Sequence, residues 1–222
     1  MTPIVKICGL STPGTLEVAL MAGATMVGFV FFERSPRNVG FQQARALGAQ
    51  ARGRARIVAL SVDADDDALS RIVEQLSPDI LQLHGRETPS RVIEIRQRFG
   101  RSTMKAVGVA TPQDFAAAAP YDGVADFLLI DAKPPADAML PGGNGRAFEW
   151  ALARDFRPRT PWLLSGGLDP DNVAEAIAAT GARGVDVSSG GESGPGVKDE
   201  ARISAFIAAA RGAFAHASEG VG

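Results

Sequence analysis

Eight short apolar runs, most of them rich in β-branched residues, alternate along the chain with Ala- and Leu-rich segments of helical spacing. Several runs are apolar at every position, which predicts strands buried on both faces, as in a parallel sheet. Strands that alternate with helices in this way predict βαβ units. The predicted strands are Ile4–Cys8, Met26–Phe31, Ile57–Val62, Ile80–Leu83, Met104–Val109, Phe127–Ile130, Trp162–Leu164 and Gly184–Val187, and the clearest helical segments are Leu16–Ala22, Leu69–Leu76 and Ile203–Ala210.

Four dipeptides predict where helices begin: Thr12-Pro13, Thr88-Pro89, Thr111-Pro112 and Asp169-Pro170. In each, a capping side chain precedes a proline that occupies the first helical position and has no N–H to lose there. Eight strand–helix units in 222 residues indicate a single (β/α)₈ TIM barrel of the α/β class. An open, doubly wound sheet is the alternative fold, but it usually has fewer strands, and no G-x-G-x-x-G follows the first strand.

The composition is typical of one globular domain, predicted to span residues 1–222 with a C-terminal tail that frays from about residue 213. A formal net charge of −2 gives no field that would attract nucleic acid or an anionic membrane. The first residues lack the apolar run of a signal peptide, and no stretch approaches the roughly 20 apolar residues of a membrane span. A single cysteine fits a reducing compartment, so we expect a cytoplasmic protein.

Small residues follow the predicted seventh and eighth strands, at the end of the barrel where active sites lie. They are Gly166 and Gly167 after the seventh strand, and Ser188, Ser189 and Gly190 after the eighth. Glycines let the backbone approach an anion, and a Ser-Ser-Gly turn can direct N–H groups toward it. Barrels often bind a phosphate at this position, so the pattern favours a phosphate site over simple tight turns.

Three other strand ends carry side chains with two interpretations each. Cys8, which precedes Gly9, is either a small buried hydrophobic residue or a base whose pKa a neighbouring cation lowers. Asp131 follows an apolar run, and it either caps loop amides or acts as a general acid. His84 either hydrogen-bonds to the backbone or contacts a ligand.

Charged residues elsewhere at the predicted barrel mouth are equally open to two interpretations. Arg37, in the loop after the second strand, is either a solvated charge or a ligand-binding group. Asp186 lies along the eighth strand, where it either pairs with Lys6 inside the barrel or serves the reaction. Because side chains alternate along a strand, Gln82 shares a face with His84.

Taken in order, these strand ends resemble the phosphoribosylanthranilate isomerase family, barrel enzymes of tryptophan biosynthesis. The resemblance covers nearly the whole chain. It rests on Lys6-Ile7-Cys8-Gly9, Gly28-Phe29-Val30-Phe31, Ser35-Pro36-Arg37, Leu81-Gln82-Leu83-His84-Gly85, Asp131, Gly142-Gly143-Asn144-Gly145, Ser165-Gly166-Gly167-Leu168, Gly184-Val185-Asp186-Val187-Ser188-Ser189-Gly190 and Gly196-Val197-Lys198-Asp199. Asn144 stands where the family usually has threonine, within a segment, Ala132–Arg146, that we expect to form one long loop on the active face.

The resemblance implies an Amadori rearrangement, an aldose–ketose isomerisation of N-(5'-phosphoribosyl)anthranilate to 1-(2-carboxyphenylamino)-1-deoxyribulose 5-phosphate, with neither cofactor nor metal. It makes Asp131 the general acid that opens the furanose ring and Cys8 the general base that removes the C2 proton. It also makes Arg37 the partner of the anthranilate carboxylate. The remaining members of the expected substrate-binding set are Gln82, His84 and Asp186.

Other functions compete with this interpretation. A dual-substrate isomerase of the histidine and tryptophan pathways uses aspartates at strands one and five, where this chain has Cys8 and Val107-Gly108-Val109. A metal-dependent epimerase needs more than the two histidines present, and the lysines Lys6 and Lys105 lie too early in their strands for a Schiff-base aldolase. A non-catalytic phosphosugar-binding barrel stays open. The expected partner is a small phosphorylated molecule, and a monomer is favoured over a homodimer.

Overall fold

Eight parallel strands form a closed barrel in sequential order, in which the first strand pairs with the eighth. The computed structural model describes residues 2–133 and 149–219. The strands are β1 (Ile4–Cys8), β2 (Met26–Phe31), β3 (Arg56–Ser61), β4 (Ile80–Leu83), β5 (Ser102–Val109), β6 (Phe127–Ala132), β7 (Trp162–Leu164) and β8 (Gly184–Val187). The predicted (β/α)₈ barrel is confirmed, and β6 runs on past its apolar stretch so that Asp131 belongs to the strand itself.

Helices surround the barrel, and they differ in type. The α-helices in the described residues are α1 (Pro13–Ala22), α2 (Phe41–Ala51), α3 (Asp66–Leu76), α4 (Pro89–Phe99), α5 (Val173–Thr180) and α6 (Glu200–Glu219). The 3₁₀-helices cover Pro112–Tyr121, Trp150–Ala153 and Ser189–Gly191, and a small antiparallel hairpin, β9 (Glu192–Gly194) with β10 (Val197–Lys198), follows the barrel. The sequence patterns did not predict this hairpin. None of the helices in residues 2–133 and 149–219 combines the length and hydrophobicity needed to cross a membrane.

Two of the four predicted helix starts are confirmed in full. Thr12 accepts a hydrogen bond from the Thr15 N–H at 3.3 Å, and Thr88 accepts one from the Arg91 N–H at 3.2 Å. In both cases the side-chain oxygen satisfies an amide that has no partner within the helix.

The other two starts need correction. The segment after Thr111 is a 3₁₀-helix rather than an α-helix, and Pro120 near its end cannot donate a backbone hydrogen bond. Asp169 does not begin a helix, because α5 starts only at Val173. The Asp169 carboxylate accepts the N–H groups of Asp171 and Asn172, and this local turn replaces the first helical turn. At the other end of the chain, α6 continues to Glu219, residues 220–222 lie outside the described residues, and fraying of the tail stays a prediction.

The interior of the barrel has an apolar level and a polar level. The apolar level is a separate cluster of buried side chains from alternate strand positions: Met26, Val58, Ile80, Met104, Ala106, Leu129 and Leu163. Toward the C-terminal ends of the strands, inward-facing positions carry Lys6, Gln82 and Asp186 instead, each no more than 4% exposed. The inward positions of a (β/α)₈ barrel form such layers. The polar side chains near the C-terminal ends of the strands therefore lie on a layer of apolar side chains.

Candidate active site

A buried ion pair joins the first and last strands of the barrel. Lys6 and Asp186 are register partners on β1 and β8, and Lys6 Nζ lies 2.6 Å from Asp186 Oδ1. Ser165 donates a hydrogen bond to the other carboxylate oxygen of Asp186 at 3.1 Å. Burial by itself lowers the pKa of Lys6, but Asp186 and the nearby Cys8 outweigh it and raise the pKa above its ordinary value. The ion pair therefore favours the charged form of Lys6 beneath the site. Of the two interpretations of Asp186, pairing with Lys6 is observed.

Cys8 occupies the C-terminal end of β1, on the same inward face as Lys6. The thiol is 3% exposed, and Gly28 on β2 makes room for it, because a Cβ at Gly28 would lie 3.1 Å from Cys8 Sγ. Burial raises the pKa of Cys8, although Lys6 and Lys198 act to lower it. The neighbouring cation that would favour a thiolate is present, but burial outweighs it and Asp186 partly cancels it, so the pKa of Cys8 lies above its ordinary value.

Asp131, His84 and Gln82 form a chain of side-chain contacts across the barrel mouth. Asp131 Oδ1 accepts the N–H of Ala132 at 2.9 Å, and Oδ2 lies 3.3 Å from His84 Nε2. The other ring nitrogen of His84 is 3.2 Å from the amide nitrogen of Gln82. Because the amide nitrogen of Gln82 can only donate, Nδ1 is the acceptor in this contact, and Nε2 carries the hydrogen that faces Asp131.

Gln82 is fully buried, so it lies below His84 in the barrel interior rather than at the surface of the barrel mouth. Among the described residues no donor reaches its side-chain oxygen. This orphaned acceptor makes Gln82 costly as a packing residue. Its placement is explained by the contact that it makes with His84.

Arg37 is buried against a carboxylate and does not project into solvent. Its Nε and one terminal nitrogen bind the two oxygens of Glu192 at 2.7 and 2.8 Å, and Lys198 Nζ binds the same carboxylate at 2.8 Å. Burial opposes the charge on Glu192, yet the two cations lower its pKa below the ordinary value. The alternative of a solvated loop charge at Arg37 is wrong, because only 5% of the residue is exposed. Arg37 and Lys198 therefore share the Glu192 carboxylate at this corner of the site.

Two glycines allow the loop that carries Arg37 to pack so closely. Gly9 has a φ of +77°, and a Cβ there would lie 2.7 Å from the Arg37 side chain. Gly196 in the β9–β10 hairpin has a φ of +78°, and a Cβ there would lie 2.6 Å from the carbonyl oxygen of Pro36. Both positions thus require a residue without a side chain, for conformation and for space.

The loops after β7 and β8 meet, as the predicted phosphate site requires. Gly166 and Gly167 have φ values of +84° and +66°, and a Cβ on Gly166 would overlap the backbone of Ala132. A Cβ on Gly190, in the 3₁₀-turn that includes Ser189, would overlap the carbonyl oxygen of Leu168. Small residues at these positions bring the two loops together at the C-terminal end of the barrel. This is the position at which barrels commonly bind phosphate.

The structure adds residues to the site that the sequence patterns missed. Glu192 is one, and its only local signal is its position directly after the glycine-rich turn that follows β8. Glu87 and Lys105 are the others, and they form a buried ion pair of 3.0 Å behind His84. The predicted segment Gly142-Gly143-Asn144-Gly145 lies outside the described residues, as does most of the Ala132–Arg146 loop. Residues 2–133 and 149–219 contain no group of three or more His, Cys, Asp or Glu arranged to hold a metal ion.

Fold and site together define a (β/α)₈-barrel isomerase. The family model that describes N-(5'-phosphoribosyl)anthranilate isomerase matches residues 5–209. Relatives of that name from Nitrobacter hamburgensis and Rhodopseudomonas palustris (strain HaA2) are each 57% identical, over 96% and 95% of this chain and 95% and 97% of their own lengths. The chain belongs to the N-(5'-phosphoribosyl)anthranilate isomerase family.

Solved structures agree with this assignment. The phosphoribosylanthranilate isomerase of Thermotoga maritima superposes with a TM-score of 0.85 at 33% identity, covering 96% of this chain and all of that one. Another phosphoribosylanthranilate isomerase structure is a complex with reduced 1-(o-carboxyphenylamino)-1-deoxyribulose 5-phosphate, and it superposes with a TM-score of 0.82 at 31% identity over 96% of this chain and 100% of that one.

Proposed function

We propose that this chain converts N-(5'-phosphoribosyl)anthranilate to 1-(2-carboxyphenylamino)-1-deoxyribulose 5-phosphate, with Asp131 as general acid and Cys8 as general base. The observation that carries the proposal is the placement of these two groups. Asp131 is the last residue but one of β6 and Cys8 ends β1, so an acid and a base reach the barrel mouth from separate parts of its rim. The rearrangement needs both, because it adds a proton to one side of the sugar and removes one from another.

In the first step, Asp131 donates its proton to the furanose ring oxygen. The bond from that oxygen to C1 breaks, and the lone pair of the anthranilate nitrogen forms the C1=N bond of a Schiff base. The Nε2–H of His84, 3.3 Å from Asp131 Oδ2, stabilises the carboxylate that remains. A donor aimed at the charge that develops during the step lowers its barrier.

In the second step, the Cys8 thiolate takes the proton from C2. The electron pair of the broken C–H bond becomes the C1=C2 bond, and the C=N electrons return to nitrogen, which gives an enolamine. Tautomerisation moves a proton from the C2 hydroxyl to C1 and leaves the ketone. Because burial raises the pKa of Cys8, the reactive thiolate is a minor form at neutral pH, and Lys6 below it acts to lower that pKa.

Substrate binding is proposed to use both charged ends of the molecule. The phosphate rests on Gly166, Gly167, Ser188, Ser189 and Gly190, where the loops after β7 and β8 meet. The anthranilate carboxylate binds at the corner that contains Arg37, whose guanidinium the Glu192 carboxylate orients. A planar guanidinium suits a carboxylate through paired hydrogen bonds.

The remaining members of the predicted substrate-binding set act at the same mouth. His84 lies at the barrel mouth beside Asp131, whereas buried Gln82 acts through His84. Asp186 contributes by holding Lys6 in place below Cys8.

A steady-state fluorescence assay that follows the loss of phosphoribosylanthranilate tests the proposal directly. The purified chain should consume the substrate, and Cys8→Ser and Asp131→Asn should each lose most of the turnover while still binding the reduced product analogue. Binding of that analogue without turnover by the unaltered chain would instead support a non-catalytic phosphosugar-binding barrel.

We also infer a monomer in the cytoplasm, where a reducing environment suits the single free thiol. The inference of a monomer has a counterexample among the relatives, because one solved structure concerns monomers generated from the dimeric enzyme of Thermotoga maritima. Light scattering on the purified chain decides the matter. A mass near 23.1 kDa supports the monomer, and twice that mass refutes it.

A further inference from the structure

We propose that Lys105 and Glu87 are positioning residues for the reaction, a buried ion pair that holds the His84 imidazole against Asp131. The inference rests on the proposed function, in which His84 supports the general acid. It concerns two residues that lie behind the site and touch no substrate.

Lys105 binds the chain on both sides of His84. It projects from β5, its side chain is only 4% exposed, and its Nζ donates to the carbonyl oxygens of Leu83 at 3.1 Å and Gly85 at 2.7 Å. Its third hydrogen bond goes to Glu87 Oε2 at 3.0 Å. An ammonium group has three donors, and all three are used. The cation therefore fixes the two peptide carbonyls that flank the imidazole.

Glu87 fixes the same loop from the opposite direction. Its carboxylate accepts the N–H of Gly85 at 3.0 Å and the N–H of Asp63 at 3.0 Å. Gly85 is thus held through its N–H by Glu87 and through its carbonyl by Lys105. A Cβ on Gly85 would overlap the Asp63 carboxylate, so the loops after β3 and β4 are in tight contact here.

The contact between His84 and Asp131 is sensitive to small movements of the loop after β4. His84 Nε2 lies 3.3 Å from Asp131 Oδ2, toward the long end of hydrogen-bonding distances, so a shift of a few tenths of an ångström in the β4 loop would lose it. A buried ion pair is weak support for stability, because desolvation offsets most of its attraction. A pair whose hydrogen bonds converge on the backbone around His84 is better explained by position than by stability.

The test removes both charges together, in Lys105→Met/Glu87→Gln, so that neither is left buried and unpaired. We expect kcat to fall about tenfold or more, the scale of a small misplacement of a catalytic group, while KM stays within about twofold because the proposed phosphate and carboxylate contacts lie elsewhere. The control is Val92→Ala on α4, a fully buried residue of the outer core. It should lower the melting temperature and leave kcat unchanged.

A double-mutant cycle separates positioning from general damage. If the ion pair acts through His84, the same two substitutions should change kcat less than about twofold in a His84→Ala background. A tenfold loss in both backgrounds would overturn the proposal. Full turnover in His84→Ala alone would instead refute the proposed role of His84 in the reaction.

A second measurement needs neither turnover nor the double variant. The chain has two histidines, His84 and His216, so ¹⁵N-histidine spectra report the ring of each separately. The milder variant Glu87→Gln should move the His84 ring signals or mix their tautomers and leave those of His216 in place. Unchanged His84 signals in folded Glu87→Gln would contradict the positioning role, whatever the activity.

Discussion

Replacing Asp131 with asparagine tests the proposed general acid with little change of shape. The asparagine oxygen can keep the N–H of Ala132, which Asp131 Oδ1 accepts at 2.9 Å. The substitution puts an amide where Oδ2 faces His84 Nε2 at 3.3 Å, so two N–H groups oppose each other unless the imidazole changes tautomer. The side chain then has no acidic proton to give to the ring oxygen.

The two consequences differ in size. Loss of one general acid lowers kcat by roughly 10² or more, which corresponds to about 2.7 kcal/mol in the activation free energy. The weakened contact with His84 costs the folded state about 1 kcal/mol. In a domain of this length that lowers the melting temperature by about 2–4 °C. Binding should change little, since neither the phosphate loops nor Arg37 is touched.

The assay measures kcat, KM and melting temperature on one preparation of Asp131→Asn. Its matched control is Asp126→Asn, at the N-terminal end of the same strand, where the carboxylate accepts the N–H of Thr103 at 2.8 Å. The bottom face of a barrel serves stability, so the control should lose melting temperature and keep kcat. An Asp131→Asn enzyme with normal kcat and a lowered melting temperature would show that Asp131 only caps the loop and that the acid lies elsewhere.

Three further outcomes are expected at the other proposed groups. Cys8→Ser should lose most turnover. Because burial raises the thiol pKa, kcat/KM of the parent enzyme should rise with pH from neutral into the alkaline range. Near-normal kcat in Cys8→Ala would instead make Cys8 a packing residue. Gly167→Asp should raise KM sharply, because its charge repels the phosphate. Gly167→Asn is the control, since it bears the same backbone strain at a φ of +66° without the charge. Equal KM values in these two variants would place the phosphate elsewhere. Arg37→Lys should weaken substrate binding because the planar fork is lost, and an Arg37→Met enzyme that binds as tightly as the parent would end that assignment.

The fold was predictable because its signals are local. Strands buried on both faces and helices with capped starts each leave a pattern within about ten residues of sequence. The predictions of helix starts failed where the same local sequence pattern is compatible with two backbone conformations. Asp169-Pro170 has the composition of a helix start, yet the carboxylate closes a turn of its own and α5 begins at Val173. Thr111-Pro112 begins a 3₁₀-helix that the same pattern cannot distinguish from an α-helix.

Most members of the site at strand ends were predictable, whereas most of its pairings and the partner Glu192 were not. The sequence by itself determined which residues stand at strand ends, because strand boundaries and side-chain alternation place Cys8, His84 and Asp131 at the barrel mouth. The sequence offered the pair of Lys6 with Asp186, 180 residues away, as one of two interpretations, and the closed barrel decided between them. Only the closed barrel brought Arg37 to Glu192, 155 residues away.

The same limit applies to the chemistry of the groups. The raised pKa of Cys8 comes from complete burial, and the balance between Lys6 and Asp186 beneath it depends on distances across two strands that pair only when the barrel closes. Local periodicity encodes where a side chain points, since that depends on the backbone of its own element. Which charge a side chain faces and how much water reaches it depend on elements far away in the chain. Only the tertiary structure decides these two properties.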